Sequence, residues 1–237
     1  MRYTAYVKRL FAPFILSILS VTLASAQSID EDKIGAWYIY VFNYDAKENR
    51  WGTQGGIQYR NWDTIGGLEQ LLIHSGVTYR PESLPGKYTL GYANITSGAF
   101  GSSSRILRED RVYQEALFPH RLGERVYIRH RLRYEQRWID YQDFRTRFRY
   151  GLFVDMPFNK ATLDKGAWYL SLYNEIFLNG EHDIGLDKRV DTYDRNRFYA
   201  ALGYSISDTL RLQIGYMHQH TKAYQKGQLQ FGITQTF

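Results

Sequence analysis

Apolar and polar residues alternate along most of the chain beyond residue 33. Successive side chains of an extended strand point to opposite faces, so this alternation predicts β-strands with one apolar and one polar face. The predicted strands are Ile34–Asn43, Arg50–Arg60, Leu68–Arg80, Lys87–Thr96, Arg108–Phe118, Glu124–Trp138, Asp143–Asp155, Ala167–Leu178, Arg195–Ser207, Thr209–Gln219 and Gly227–Phe237. After Leu23 no segment approaches the run of about 18 apolar residues that a membrane helix needs. The pattern therefore predicts an all-β domain.

The last predicted strand shows the alternation most clearly. Its apolar face carries Leu229, Phe231, Ile233 and Phe237, and glutamine and threonine dominate the other face. A terminal aromatic residue that closes such a strand resembles the C-terminal signal of bacterial outer-membrane barrels. The strands of those barrels need only about 9–11 residues and present an apolar face to lipid. We therefore expect the barrel-assembly machinery to be a partner of the strand that ends at Phe237.

The N-terminus has the residue order of a secretory signal peptide. Basic residues precede the apolar run Leu10–Leu23, and the small residues of Ala24–Ala26 follow it. This order predicts a cleaved signal peptide over residues 1–26 and a barrel domain over residues 27–237. An uncleaved membrane anchor is the alternative, but the apolar run is short for a span. The predicted location is the bacterial outer membrane, reached across the inner membrane.

Composition narrows the possible functions. The full chain has 30 Lys+Arg and 24 Asp+Glu, a formal net charge of +6; removal of residues 1–26, with three basic residues and no acidic one, lowers it to +3. This mild basicity gives no support to nucleic-acid binding. The chain has no cysteine, which excludes disulfides, thiolate metal sites and lipid attachment at the cleavage site. Its 21 Tyr, 13 Phe and 5 Trp are typical of the aromatic girdles of outer-membrane barrels.

These features together predict a closed antiparallel transmembrane β-barrel of meander topology. Bacterial single-chain barrels have even strand numbers, so eleven segments imply one spurious or one missed strand. We predict 12 strands, with 10 as the alternative, in a monomer that contacts outer-membrane lipid. The short turns His120–Gly123 and Ser207–Asp208 would lie on the periplasmic side with Phe237. The longer Ser97–Leu107 and Asn179–Asp194 loops would lie outside.

Arginines recur on one face of the two central predicted strands. An arginine that faces lipid near the bilayer midplane costs about 2–4 kcal/mol, so these faces are predicted to line the lumen. Like charges on neighbouring strands repel, so acidic residues are expected among them. The predicted charge network, a candidate pore lining or ligand site, comprises Arg125, Arg129, Arg131, Arg133, Glu135, Arg137, Arg145, Arg147, Arg149, Glu115, Glu175 and Arg197.

The sequence leaves several interpretations of this network open. The charges would either form a salt-bridged plug or line a narrow pore for anions and small solutes, or a pocket for lipid and saccharide headgroups. A small barrel enzyme acting on outer-membrane lipid and a partner-binding barrel are further alternatives. No histidine has a serine two residues away, the spacing that places both on one strand face. His218 and His220 share a face, but no metal, cofactor or catalytic residue is predicted.

Several stretches of the chain resemble one protein family. They are Gly35–Trp37, Arg131–Trp138, Tyr173–Phe177, Asn196–Tyr199 and Leu202–Tyr204. Among them, the stretches RLRYEQR and NEIF are the more specific. Over most of its mature length the chain is similar to the family catalogued as domain of unknown function 2490, common in Bacteroidetes-type bacteria. The resemblance implies an outer-membrane β-barrel and implies no activity, so no catalytic residue is carried over from it.

Overall fold

The computed structural model describes residues 29–46, 49–101 and 103–237, and these residues form strands without any helix. The strands are β1 Gly35–Asp45, β2 Trp51–Asn61, β3 Leu68–Tyr79, β4 Lys87–Gly98, β5 Ile106–Leu122, β6 Val126–Ile139, β7 Arg145–Pro157, β8 Trp168–Asn179, β9 Tyr193–Ser205, β10 Leu210–His220 and β11 Gln225–Thr236. The predicted signal peptide, residues 1–26, lies outside the described residues. Within the described ranges there is no helix long and apolar enough to cross a membrane.

The strands form one closed barrel in which chain neighbours are also spatial neighbours. Each consecutive pair is antiparallel, which is the meander that the sequence predicts. The ring closes between β1 and β11, which pair in parallel from Gly35 opposite Gln228 to Asn43 opposite Thr236. The all-β class and the closed barrel are therefore confirmed.

The even strand number is not observed. The described residues form eleven strands, each overlapping one predicted segment, and not the 12 or 10 that the even-number rule predicts. An up-and-down meander with an odd number of strands brings its first and last strands into the same direction, so the closing pair is parallel. A parallel ladder still pairs the backbone amides and carbonyls, although slightly less stably per residue. The prediction of a wholly antiparallel barrel is wrong at this one seam.

The connections separate into two rims. The C-terminal rim, defined by Phe237, contains the turns 123–125 and 206–209. The N-terminal rim, defined by the start of β1, contains the loops 99–105 and 180–192. Strand β5 extends to Leu122, so the first turn falls later than predicted, and Gly123 supplies its left-handed backbone at φ 60°.

Alternation along the strands sorts the side chains between the two surfaces of the barrel. Tyr113, Tyr169 and Phe177 point inward and are almost fully buried. Large apolar side chains of every strand point outward and are exposed, among them Leu90 and Leu132. The outer surface is therefore apolar over much of its area, whereas the interior mixes aromatic and charged groups.

Tyrosine rings fill the interior by lying against glycines of neighbouring strands. A Cβ atom added at Gly91 would lie 2.2 Å from Cζ of Tyr113, and one at Gly203 would lie 2.2 Å from Cζ of Tyr169. Only glycine allows the ring to approach the backbone this closely. These two pairs help to hold the wall that carries the charged residues.

Candidate functional site

The charged residues come together because neighbouring strands place them at the same height. Register puts Arg133 of β6 opposite Arg149 of β7, and Arg137 opposite Arg145. Directly opposed like charges destabilise a sheet, so this wall requires acidic partners. Glu135, which stands opposite Arg147, is the first of them.

Glu135 is the centre of the cluster. Its side chain is fully buried, with 0 % exposure. Arg147 donates to its Oε2 from Nε at 2.8 Å and from Nη2 at 2.6 Å, and Arg149 Nη1 donates to Oε1 at 2.7 Å. Arg111 and Arg133 add longer contacts at 3.6 and 3.9 Å. A single carboxylate therefore serves as the counter-ion of several guanidinium groups.

Glu115 and Glu175 extend the cluster to both sides. Arg133 Nε donates to Glu115 Oε2 at 2.7 Å from the neighbouring strand. Glu175 Oε1 accepts from Arg131 Nη2 at 2.7 Å and from Arg149 Nε at 2.9 Å. Arg149 thus bridges Glu135 and Glu175, and the acids of β5, β6 and β8 belong to one continuous network. Charge-assisted bonds of this kind are stronger than neutral ones and fix side-chain geometry.

The remaining predicted residues lie at the edges of this network or outside it. Arg129 pairs with Asp155 at 2.7 Å near the C-terminal rim. Arg125 is exposed in the turn before β6, so the structure does not place it in the interior. Arg145 is half-buried, and its Nε has no hydrogen-bond partner among the described residues. Arg197 is buried and donates to Gln219 rather than to an acid.

Several members of the site are missing from the predicted set, and three of them show why. Glu109 of β5 accepts from Arg137 Nε at 2.6 Å and from Arg111 Nε at 2.5 Å. Alternation could have found it, since it shares a strand face with Glu115. Asp194 contacts Arg147 at 3.0 Å from the loop side of β9, and no local pattern indicates that approach. Arg60 of β2 also lies on a face that alternation assigns to the interior.

An interior cavity of about 370 Å³ adjoins the network. Among the described residues, eleven arginines and three carboxylates line it. The arginines are Arg60, Arg111, Arg129, Arg131, Arg133, Arg137, Arg147, Arg149, Arg195, Arg197 and Arg211, and the acids are Glu115, Asp155 and Glu175. Glu135 and Glu109 contact the arginines without lining the cavity. When they are counted as well, the arginines still outnumber the carboxylates. The cavity is therefore a positively charged chamber.

The described residues contain no cluster of three or more histidine or acidic side chains arranged to hold a metal ion. His218 and His220 both lie on the outward face of β10, and the Tyr193 hydroxyl lies 2.9 Å from His220 Nδ1. His74 is the histidine that lines the cavity, where its Nδ1 lies 3.3 Å from the Tyr113 hydroxyl. The chemistry of the chamber is accordingly that of guanidinium groups.

Comparison with known proteins places the chain by family alone. No curated protein matches it, and no solved structure matches it. One family model matches residues 34–230, which include almost the whole barrel. The chain therefore belongs to the family described as protein of unknown function (DUF2490).

Proposed function

We propose that this protein is a bacterial outer-membrane β-barrel whose positively charged interior admits and passes small anions. The observation that carries the proposal is the excess of arginines over carboxylates around the interior cavity. A chamber lined by one sign of charge concentrates ions of the opposite sign. Small inorganic and organic anions are the solutes that such a chamber favours.

The outer surface supports the membrane part of the proposal. Exposed apolar side chains include Ile57, Leu90 and Ile214, at 47 %, 61 % and 54 % exposure. Soluble monomers rarely expose continuous apolar patches larger than a few hundred Å². A lipid environment would cover this surface, and the closed ring leaves no unpaired strand edge in lipid. The N-terminal signal pattern and the terminal Phe237 agree with delivery to the outer membrane.

The ion-pair network explains why the passage would be narrow. Glu135 and its arginine partners fill one side of the interior, between β5 and β8. The same ion pairs hold the arginine side chains in fixed positions along the wall of the cavity. A structural plug would use the same contacts. A measurement of ion conduction therefore distinguishes a pore from a plug.

The test is single-channel conductance of the folded chain in planar bilayers. Wild-type protein should give stable steps with anion selectivity. A triple variant with Arg131→Gln, Arg133→Gln and Arg147→Gln should be less selective for anions, because it removes three of the eleven arginine charges that line the cavity while the carboxylates remain. Heat-modifiable gel mobility confirms that each variant is folded.

Arg125→Gln is the control, since it removes one arginine charge from an exposed turn outside the cavity. It should conduct like the wild type. A folded wild-type barrel that remains silent would contradict the conduction proposal and favour the structural plug. Steps that are equally selective in the triple variant would contradict the role of the arginines.

A further inference from the structure

Two buried arginines of the cavity lack an acidic partner. Arg60 of β2 is 6 % exposed and Arg197 of β9 is 7 % exposed. Among the described residues, no carboxylate oxygen lies within 4.0 Å of either guanidinium group. By contrast, Arg147 and Arg149 each have a carboxylate oxygen within 2.7 Å. The two arginines without a direct ion pair are therefore a separate group within the chamber.

The neutral partners of these arginines orient them without balancing their charge. Arg60 donates to the side-chain oxygens of Gln70 and Gln58, both at 2.5 Å, and its buried Nε has no partner among the described residues. Arg197 donates from Nε to Gln219 at 2.8 Å, which leaves its two terminal nitrogens for the cavity. Both groups retain donors for a ligand.

Trp37 of β1 is a shared neighbour of the two cations. The guanidinium carbon of Arg60 lies 3.9 Å from the centre of the indole ring, and that of Arg197 lies 4.8 Å from it. Stacking on an aromatic face attracts a cation, but it leaves the full positive charge in place. Glu69 lies in the same region, yet its Oε2 accepts from Trp37 Nε1 and Gln228 Nε2, both at 3.1 Å. Glu69 therefore contributes negative charge nearby without a direct ion pair to either arginine.

A hydroxyl group completes the set of donors. Tyr173 of β8 also lines the cavity, and its oxygen accepts from Gln230 Nε2 at 3.1 Å. That bond uses the oxygen as an acceptor, and no described residue accepts from the hydroxyl, so its hydrogen can donate to a ligand. Two cations and a hydroxyl donor, with no carboxylate oxygen of the described residues within 4.0 Å of either guanidinium group, match an anion with several acceptor oxygens.

We propose that Arg60 and Arg197, stacked on Trp37, bind the phosphate group of a small solute. Two buried cations without a direct ion pair favour an anion of high charge, and guanidinium forks match the oxygens of phosphate. The cavity is larger than one phosphate ion and is of the size that small organic ligands occupy, so phosphate monoesters also fit. This inference rests on the proposed entry of anions into the barrel and names their chemical class.

The site also spans the parallel seam of the barrel. Trp37 belongs to β1, Arg60 to β2 and Arg197 to β9, while Gln230 comes from β11. A bound phosphate would connect strands from both ends of the chain. Because a ligand that binds only the folded state stabilises it, phosphate should raise the temperature at which the folded gel mobility is lost.

The experiment is calorimetric titration of the folded full chain in detergent with inorganic phosphate, glycerol 3-phosphate and chloride. Phosphate or its monoester should bind at least tenfold more tightly than chloride. Arg60→Gln and Arg197→Gln should each weaken that binding at least tenfold, and Arg60→Lys should be intermediate because it retains charge without the fork. Heat-modifiable mobility confirms folding of every variant.

Arg211→Gln is the matched control. Arg211 lines the same cavity and has no carboxylate partner among the described residues, but it stands opposite Thr234. That position corresponds to Val41, four residues from Trp37 along β1, or about 13 Å. The control should change phosphate affinity less than threefold. An equal loss in Arg60→Gln and Arg211→Gln would show a general field effect and overturn the site.

The remaining comparisons distinguish free from esterified phosphate. They also test the phosphate site separately from anion conduction. Tighter binding of glycerol 3-phosphate would assign the site to esterified phosphate, such as a lipid headgroup, and tighter binding of inorganic phosphate to the free ion. Binding of neither above chloride would overturn the inference. Phosphate binding by a barrel that is silent in bilayers would leave the site intact and refute conduction alone. Anion-selective steps without phosphate binding would refute the site alone.

Discussion

At the residue scale, the interior depends on a few carboxylates that each hold several arginines. Glu135 shows this most clearly, because it is fully buried and receives hydrogen bonds from Arg147 and Arg149. Its charge is tolerable in the interior only because those partners are present, and it balances their charges together with Glu175 and Asp194. A change at this residue affects the whole network, whereas a change at an exposed acid affects little.

Glu135→Gln therefore should lower the free energy of unfolding by about 3–5 kcal/mol, the usual cost of removing one partner of a buried ion pair. The measurement is urea unfolding of the barrel in detergent, followed by tryptophan fluorescence. Glu124→Gln, in the exposed turn before β6, is the control and should change stability by no more than about 0.5 kcal/mol. Equal effects of the two substitutions would show that the network contributes no stability.

At the scale of the elements, the strands are joined by the fit of aromatic rings on glycines as well as by backbone hydrogen bonds. Gly203 of β9 accepts the ring of Tyr169 from β8, directly opposite it in register. Gly232 of β11 is also on the inward face, but the nearest atom to an added Cβ there would be Gln213 Cβ at 3.7 Å. The two glycines thus occupy similar strand positions with different neighbours.

Gly203→Ala should destabilise the barrel by about 1–3 kcal/mol, since the new methyl group would displace the Tyr169 ring from a packed interior. Gly232→Ala should change stability by less than about 1 kcal/mol, because the methyl group fits and reduces the entropy of the unfolded chain. The measurement is the unfolding midpoint of each variant in the same detergent. A Gly203→Ala variant as stable as Gly232→Ala would refute the role assigned to ring packing.

At the scale of the whole molecule, the parallel seam determines how the barrel closes. Tyr40 of β1 stands opposite Ile233 of β11, and both side chains point outward. Adjacent strands lie about 4.7–4.9 Å apart, within the Cα separation of about 4.4–6.8 Å that a disulfide requires. The chain has no native cysteine, so an engineered pair reports on this register without competition.

Tyr40→Cys combined with Ile233→Cys should form an intramolecular disulfide on mild oxidation, detected as a cross-linked peptide by mass spectrometry. Tyr40→Cys combined with Leu229→Cys should not, because Leu229 stands opposite Ala36, about 13 Å farther along β1. An additional strand between β1 and β11 would abolish the first cross-link. Its absence in folded protein would therefore contradict the eleven-stranded closure.

The sequence by itself determined the all-β class, the approximate position of every strand and the inward or outward direction of most side chains. Those properties follow from local geometry, since alternation along a strand needs no knowledge of its neighbours. The arginine-rich face of β6 and β7 was visible for the same reason. Arg125 was misplaced because the strand begins one residue after it, at Val126, and strand ends have no alternation to define them.

Only the tertiary structure decided the strand count, the parallel seam and the partner of each charge. Closure depends on which two strands meet last, which alternation within a strand does not encode. The network around Glu135 and the contacts of Arg60 and Arg197 with Trp37 depend on the stagger of several strands around the ring and on the reach of long side chains across the interior. Alternation assigned these groups to one surface, and the curvature of the closed sheet decided which of them touch.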